Sequence, residues 1–145
     1  MRGRILAVDY GSKRLGVAVS DETATLARPL QTVEQSEGVC EVVARLATEQ
    51  QVAKVVVGRP QTLRQKQSQS TDEAEAFAER LRACLPPEIE VVRWDERLTT
   101  KQALAVMREA GIDARRARPR IDMVSAALLL QSYLDCCRRS EAAEE

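Results

Sequence analysis

Apolar and polar positions change rhythm along this chain, and the changes mark its elements. Ile5 to Val8 and Leu15 to Ser20 are short apolar runs joined by "GSKR", which predicts two strands in a tight hairpin. A third extended piece is predicted near Leu26 to Val33, with Pro29 pointing to irregularity or a sheet edge. Val39, Val42, Val43, Leu46 and Ala47 then follow the one-face spacing of a helix. "VAKVVVG" is a continuous β-branched run, as expected of a strand covered on both faces.

A polar loop leads to "STDEAEAFAERLRACL", where Ser70 and Glu73 have capping-box spacing and Ala74, Phe77, Ala78 and Leu81 form an apolar stripe. Pro86 and Pro87 stop that helix, and "EIEVVRW" is the next strand. Thr99 and Gln102 are spaced to cap another helix, with Ala103, Val106, Met107 and Ala110 as its stripe and Gly111 as its stop. The last helix follows Pro119 and is expected to end near Cys137. Three strands in hairpin succession, then alternating strands and helices, predict an α/β fold. Its mixed central sheet has three leading antiparallel strands and is covered by helices. That order resembles the ribonuclease H-like fold.

Composition narrows the picture. The 145 residues, 44% hydrophobic and 30% charged, fit one globular domain, expected over residues 1–138, with residues 139–145 as a flexible acidic tail. No apolar run approaches the roughly 20 residues of a membrane span, so no membrane partner is expected. "MRGRILAVDY" lacks a signal-like apolar core, which makes a cytoplasmic location the expectation. Cys40, Cys84, Cys136 and Cys137 contain no CxxC pair and read as free thiols. The chain has no histidine, so acid–base or metal chemistry falls chiefly to carboxylates, lysines and tyrosines. Net charge is zero, yet "ARRARPR" and "GRPQTLRQK" concentrate arginine in two stretches, a distribution that suits a polyanionic partner.

Three acids then stand out. Strand alternation puts Ile5, Ala7 and Asp9 on one side and Leu6 and Val8 on the other, so Asp9 sits where a strand stops. It could hydrogen-bond into its own turn or present its carboxylate outside the sheet. Asp95 and Glu96 end a later strand, and alternation alone does not choose between them. Asp122 opens the last helix, where an acid favours the helix dipole. It also shares the stripe of Ala126, Leu129 and Tyr133, where a carboxylate is costly unless paired, hydrogen-bonded or coordinating a metal. Acids from two strand ends and one helix start suit a hard cation such as Mg²⁺ or Mn²⁺, the ions that phosphodiester-cleaving enzymes commonly hold.

"LAVDYGSKRLGVAVSD", "VVVGRP", "WDERLTT" and "IDMVSAALLLQSYLD" occur here in the order and near the spacing of the YqgF/RuvX family, which this chain resembles from Arg4 to about Asp135. Proteins of that family resemble ribonuclease H-like nucleases and are described as pre-16S rRNA nucleases or Holliday junction resolvases. The resemblance implies a metal-dependent nuclease with Asp9, Glu96 and Asp122 as metal-binding, catalytic acids and Asp95 as an auxiliary or structural acid. It also places Gly11, Lys13, Arg14, Arg59, Arg97, Arg115, Arg116 and Arg118 as candidate contacts to substrate phosphates. The stretch "QTLRQKQSQST" departs from the small polar, glycine-containing run that often follows the family's VGxP.

Four functions are therefore in contention. The foremost is processing of the 5' end of precursor 16S rRNA, a structured RNA. The second is resolution of four-way, branched DNA, which needs two active sites and hence a homodimer. An actin-like or sugar-kinase-like ATPase would need a second D-x-G hairpin and a second lobe, which 145 residues do not hold. The last is a non-catalytic RNA-binding assembly factor. Tyr10, Phe77, Trp94 and Tyr133 are the only aromatics, too few for a base-stacking surface.

Overall fold

The computed structural model describes residues 3–11, 13–60, 67–96 and 121–144; at positions 59–60, 67–72, 95–96, 121–123 and 138–144 the description is of the backbone. β1 (Arg4–Asp9), β2 (Arg14–Ser20) and β3 (Ala27–Glu34) form an antiparallel meander, followed by α1 (Val39–Glu49) and β4 (Val52–Pro60). Then come α2 (Gln67–Cys84), β5 (Glu90–Glu96) and α3 (Ile121–Glu144). The five strands form one sheet in the order β3-β2-β1-β4-β5, with β1–β4 and β4–β5 parallel. β3 is an edge strand, and its register with β2 slips between Val17 and Ala18, opposite the stretch that contains Pro29. Proline cannot donate to a ladder, so the edge and the slip are where it can be accommodated.

The sheet has two unlike faces. Leu6, Val8, Leu15, Val17, Val19, Val55 and Val57 pack with Val43 of α1 and with Ala74, Phe77, Ala78 and Leu81 of α2. Ile5, Ala7, Ala18 and Val56 lie instead against Ala126, Leu130, Tyr133 and Leu134 of α3. β4 is thus buried from both sides, which is why its apolar run has no alternation: Val55, Val56 and Val57 are all fully buried. β2 divides its residues by parity between a bulky face, Leu15, Val17 and Val19, and a small one, Gly16, Ala18 and Ser20.

The elements differ from the sequence expectation at two helix ends. α2 begins at Gln67, so Ser70 and Glu73 fall inside the helix and do not form its cap. The Ser-x-x-Glu spacing is a local signal, and the polar residues before it propagate the helix one turn further back. α3 continues seven residues past Cys137 to Glu144, so the segment 139–144 read as a flexible tail is helical. "RRSEAAE" is rich in strong helix formers, and an acidic run does not by itself end a helix. The helix expected after Thr99 lies outside the described residues. All four cysteines sit in helices as free thiols; Cys40 is buried, and that burial pushes its thiol pKa up. No helix among the described residues is long and apolar enough to cross a membrane.

Candidate active site

The last residue of β1 is held from both sides. Tyr10 continues the ladder beyond it, donating its N–H to the Gly58 carbonyl at 2.9 Å. Its ring is buried on the α1/α2 face, tilted against Phe77 with centroids 5.2 Å apart. Neighbours in a strand point to opposite sides, so anchoring Tyr10 in one core keeps Asp9 on the other, the α3 side shared with Ile5 and Ala7. In register, Asp9 stands beside Gly16 of β2 and Gly58 of β4. Neither strand neighbour carries a side chain of its own beside the half-buried Asp9.

Gly58 has a steric reason of its own. A Cβ there would lie 2.1 Å from the Trp94 carbonyl oxygen and 3.0 Å from both Leu129 methyls, so a larger residue would push apart β4, β5 and α3. Gly11 is likewise confined: a Cβ would come within 2.4 Å of the Arg14 carbonyl oxygen, across the turn that joins β1 to β2. Its close approach is thus to its own turn, in addition to the approach of a phosphate that the sequence suggested. Lys13 and Arg14 are exposed beyond it.

Glu96 and Asp122 are placed by the backbone. β5 stays paired with β4 through its end, Arg59 opposite Asp95 and Pro60 opposite Glu96. Val92 and Trp94 belong to the α3 face and Val91 to the other, so alternation assigns position 96 to the α3 side and position 95 to the α2 side. α3 runs antiparallel to β4. The Lys54 ammonium of β4 donates to the Tyr133 hydroxyl at 3.0 Å, while Leu129, one turn earlier, meets Gly58 four residues later. The amino end of α3 therefore lies toward the carboxyl ends of β1, β4 and β5. Ala126, Leu129 and Tyr133 are all buried, which puts position 122 on the sheet-facing stripe. The fold thus brings positions 9, 96 and 122 to one end and one face of the sheet. Arg59 lies in the β4 backbone at that end; Arg97, Arg115, Arg116 and Arg118 lie outside the described residues.

The chain matches the RuvX family model, described as Holliday junction resolvase, over residues 3–136. This chain belongs to the RuvX family. A Rhodococcus erythropolis relative is 43% identical over 141 residues, covering 92% of this chain and 78% of that protein. One from Syntrophus aciditrophicus is 41% identical over 134 residues, covering 91% and 88%. Both carry the provisional name pre-16S rRNA nuclease. Among solved structures, Fowlpox virus resolvase with Holliday junction DNA superposes with a TM-score of 0.61 at 15% identity, covering 92% of this chain and 98% of that one. T. thermophilus RuvC with a Holliday junction substrate gives 0.54 at 16% identity, covering 94% and 96%. Those likenesses establish the ribonuclease H-like architecture expected from the order of elements. Membership in RuvX makes the chain a hydrolase of the nuclease class.

Sequence reasoning missed Gly16, Gly58 and Tyr10 as shapers of the site. The signal was available only in part: a glycine inside an apolar strand run, as in "RLGVAVS" and "VVVGRP", marks a close approach. Which residue each glycine stands beside depends on register, which one sequence does not display.

Proposed function

We propose that this RuvX chain hydrolyses phosphodiester bonds of precursor 16S rRNA in the cytoplasm, with Asp9, Glu96 and Asp122 holding Mg²⁺ or Mn²⁺. The observation that carries the reading is the convergence of positions 9, 96 and 122 at one end of the sheet, on the α3 side. The donor chemistry fits: three carboxylates give an all-oxygen set, the kind that Mg²⁺ and Mn²⁺ prefer. When bound, such an ion supplies Lewis acidity, lowering the pKa of an attacking water and stabilising charge on the leaving oxygen. The chain's own part is positional. Tyr10 fixes Asp9, β5 carries Glu96 to the same side, and α3 brings Asp122 over the sheet. Lys13 and Arg14 offer positive charge to a phosphate beside the strand end, with Arg59, Arg97, Arg115, Arg116 and Arg118 extending that surface. Purified protein is expected to cut precursor RNA when Mg²⁺ or Mn²⁺ is added. Asp9→Asn should lower turnover on the order of 10²–10³-fold, the several kcal/mol of charge stabilisation such a site supplies. Undiminished cutting by that variant would overturn the assignment.

A second substrate is favoured by a separate observation. The family model is described as Holliday junction resolvase, and the two superposed structures contain or are bound to junction DNA. In this reading the same acids cut a four-way DNA junction from a homodimer, with two sites related by a dyad. One preparation assayed side by side on precursor RNA and junction DNA, with its mass measured in solution, separates the two. Faster RNA cutting by a monomer supports the first; paired junction cuts by a dimer support the second.

A further inference from the structure

Gln35, the residue after β3, is half-buried and bonds twice to the turn beside Asp9. Its side-chain Nε2 donates to the Gly11 carbonyl at 2.7 Å, and its backbone N–H donates to the Lys13 carbonyl at 3.0 Å. One residue, 24 positions downstream of Gly11, thus holds two of the carbonyls in the segment that joins β1 to β2. Carbonyl oxygens turned toward a phosphate would repel it, whereas N–H groups and cationic side chains attract it. A donor on each of these two carbonyls both offsets its negative end and fixes its direction. Gly11 admits no Cβ within the turn, so the backbone there has one compact path to hold. Opposite Arg14, in register, stands Glu34, so Gln35 also marks where strand pairing ends and the turn needs another tie.

We infer that Gln35 is a positioning residue for substrate binding. It holds the Gly11–Arg14 turn with its carbonyls tied back, so that Lys13 and Arg14 meet the phosphodiester backbone beside Asp9. This rests on the nuclease reading above, with that turn as a phosphate contact. Gln35 reaches neither substrate nor ion and acts through the turn.

The test uses the full chain with Gln35→Ala and Gln35→Glu, the second keeping the shape while exchanging the donor for an acceptor. Each variant is compared with wild type and Lys13→Ala for kcat and KM on precursor RNA, for the salt dependence of RNA binding, and for thermal midpoint. Both Gln35 variants should raise KM about 5- to 20-fold, keep kcat within about twofold, and shift the midpoint by only a few degrees. The slope of log affinity against log salt should become shallower by about 0.7–0.9, the value of one phosphate contact. An unchanged KM would overturn the inference, as would kcat and KM worsening together in step with lost stability. Where Lys13→Ala raises KM and the Gln35 variants do not, the turn is a phosphate contact and Gln35 is only structural. Where wild type cuts no RNA, or Lys13→Ala leaves KM untouched, the reading on which the inference rests fails, and the inference with it.

Discussion

The two ends of this sheet set the same residue type in different surroundings. Asp21 follows β2 as Asp9 ends β1, each acid closing an apolar run. Asp21 is consumed by its own turn: its carboxylate accepts from the Thr25 N–H at 2.8 Å, the Leu26 N–H at 3.2 Å and the Thr23 hydroxyl at 2.7 Å. Nearby, Ser20 accepts from the Ile5 N–H and donates to the Asp21 carbonyl, and Gln131 of α3 bridges the Thr25 carbonyl and the Ala27 N–H. Lys54, Tyr133 and Glu90 form a further polar set on that side. At the other end, the neighbours of Asp9 in the sheet are two glycines. One end spends its polar groups on closing a turn, and the other sets its acid between two strand neighbours that carry no side chain. The surroundings of an aspartate at a strand end are therefore legible only once its neighbours are known.

The sharpest way to break this contrast is to neutralise the two acids in parallel. Asp9→Asn should lower cleavage as set out above, and should also abolish the rise in thermal midpoint expected when Mn²⁺ is added to the wild-type protein, because binding to the folded state alone stabilises it. Asp21→Asn should cut RNA at the wild-type rate and keep the Mn²⁺ response. If Asp21→Asn lost activity to the same degree, the two ends would not be functionally distinct.

A smaller effect is expected where α3 seats on the sheet. Ala18 is fully buried between Ala7 and Pro29 in register and packs beneath α3. Ala18→Leu adds bulk to the small face, at a cost of about 1–3 kcal/mol for overpacking. Because α3 carries position 122 to the site, turnover should also fall several-fold at temperatures where the variant is fully folded. Calorimetry together with kcat checks this; lost stability with unchanged kcat would mean that the seat of α3 does not set the site.

Much of this architecture was readable in the sequence. The hairpin, the doubly covered β4, the α2 stripe and the parity of Ile5, Ala7 and Asp9 all follow from local period, which packing then enforces. What local period could not decide was which of positions 95 and 96 shares the face of Asp9. It needs to be known that β5 stays regular to its end, and pairing with Arg59 and Pro60 supplies that. The helix ends were misread for a related reason: Ser70 and the acidic "EAAEE" are genuine punctuation signals, overridden by propagation from a helix already packed. The glycine pair beside Asp9 is a tertiary fact, since Gly16 and Gly58 meet only when β2 and β4 flank β1.

Tyr133→Phe probes the closed end at lower cost. The ring would keep its edge contact with Trp94, at 5.4 Å between centroids, and its place under the Lys54 ammonium. The hydroxyl bond to Lys54 is lost, worth about 1 kcal/mol, together with the hydroxyl's hydrogen bond with Cys137. The bond to Lys54 is the main cause holding the Lys54 pKa above its ordinary value, while burial pushes the Tyr133 phenol up. A lysine whose folded pKa is raised contributes stability below its unfolded pKa and loses it as pH climbs through the folded one. Denaturant midpoints of wild type and variant should therefore differ at neutral pH and converge in strong alkali, with RNA cutting unchanged throughout.

The smallest effect belongs to Asp21 and appears only in acid. Its amide and hydroxyl donors, the Thr25 N–H foremost, hold the folded carboxyl below the ordinary value of 3.8. A depressed folded pKa means that the ionised form is preferred in the native state. Its contribution is complete above the unfolded pKa and is lost as pH falls through the folded one. Asp21→Asn has no such charge to lose. Thermal midpoints taken from pH 7 down to pH 2.5 should show the variant below wild type at neutral pH, with the gap closing below about pH 4. A gap that stays constant across that range would mean the turn needs an acceptor of the right shape and not a charge. The closed end would then owe its stability to neutral hydrogen bonds alone.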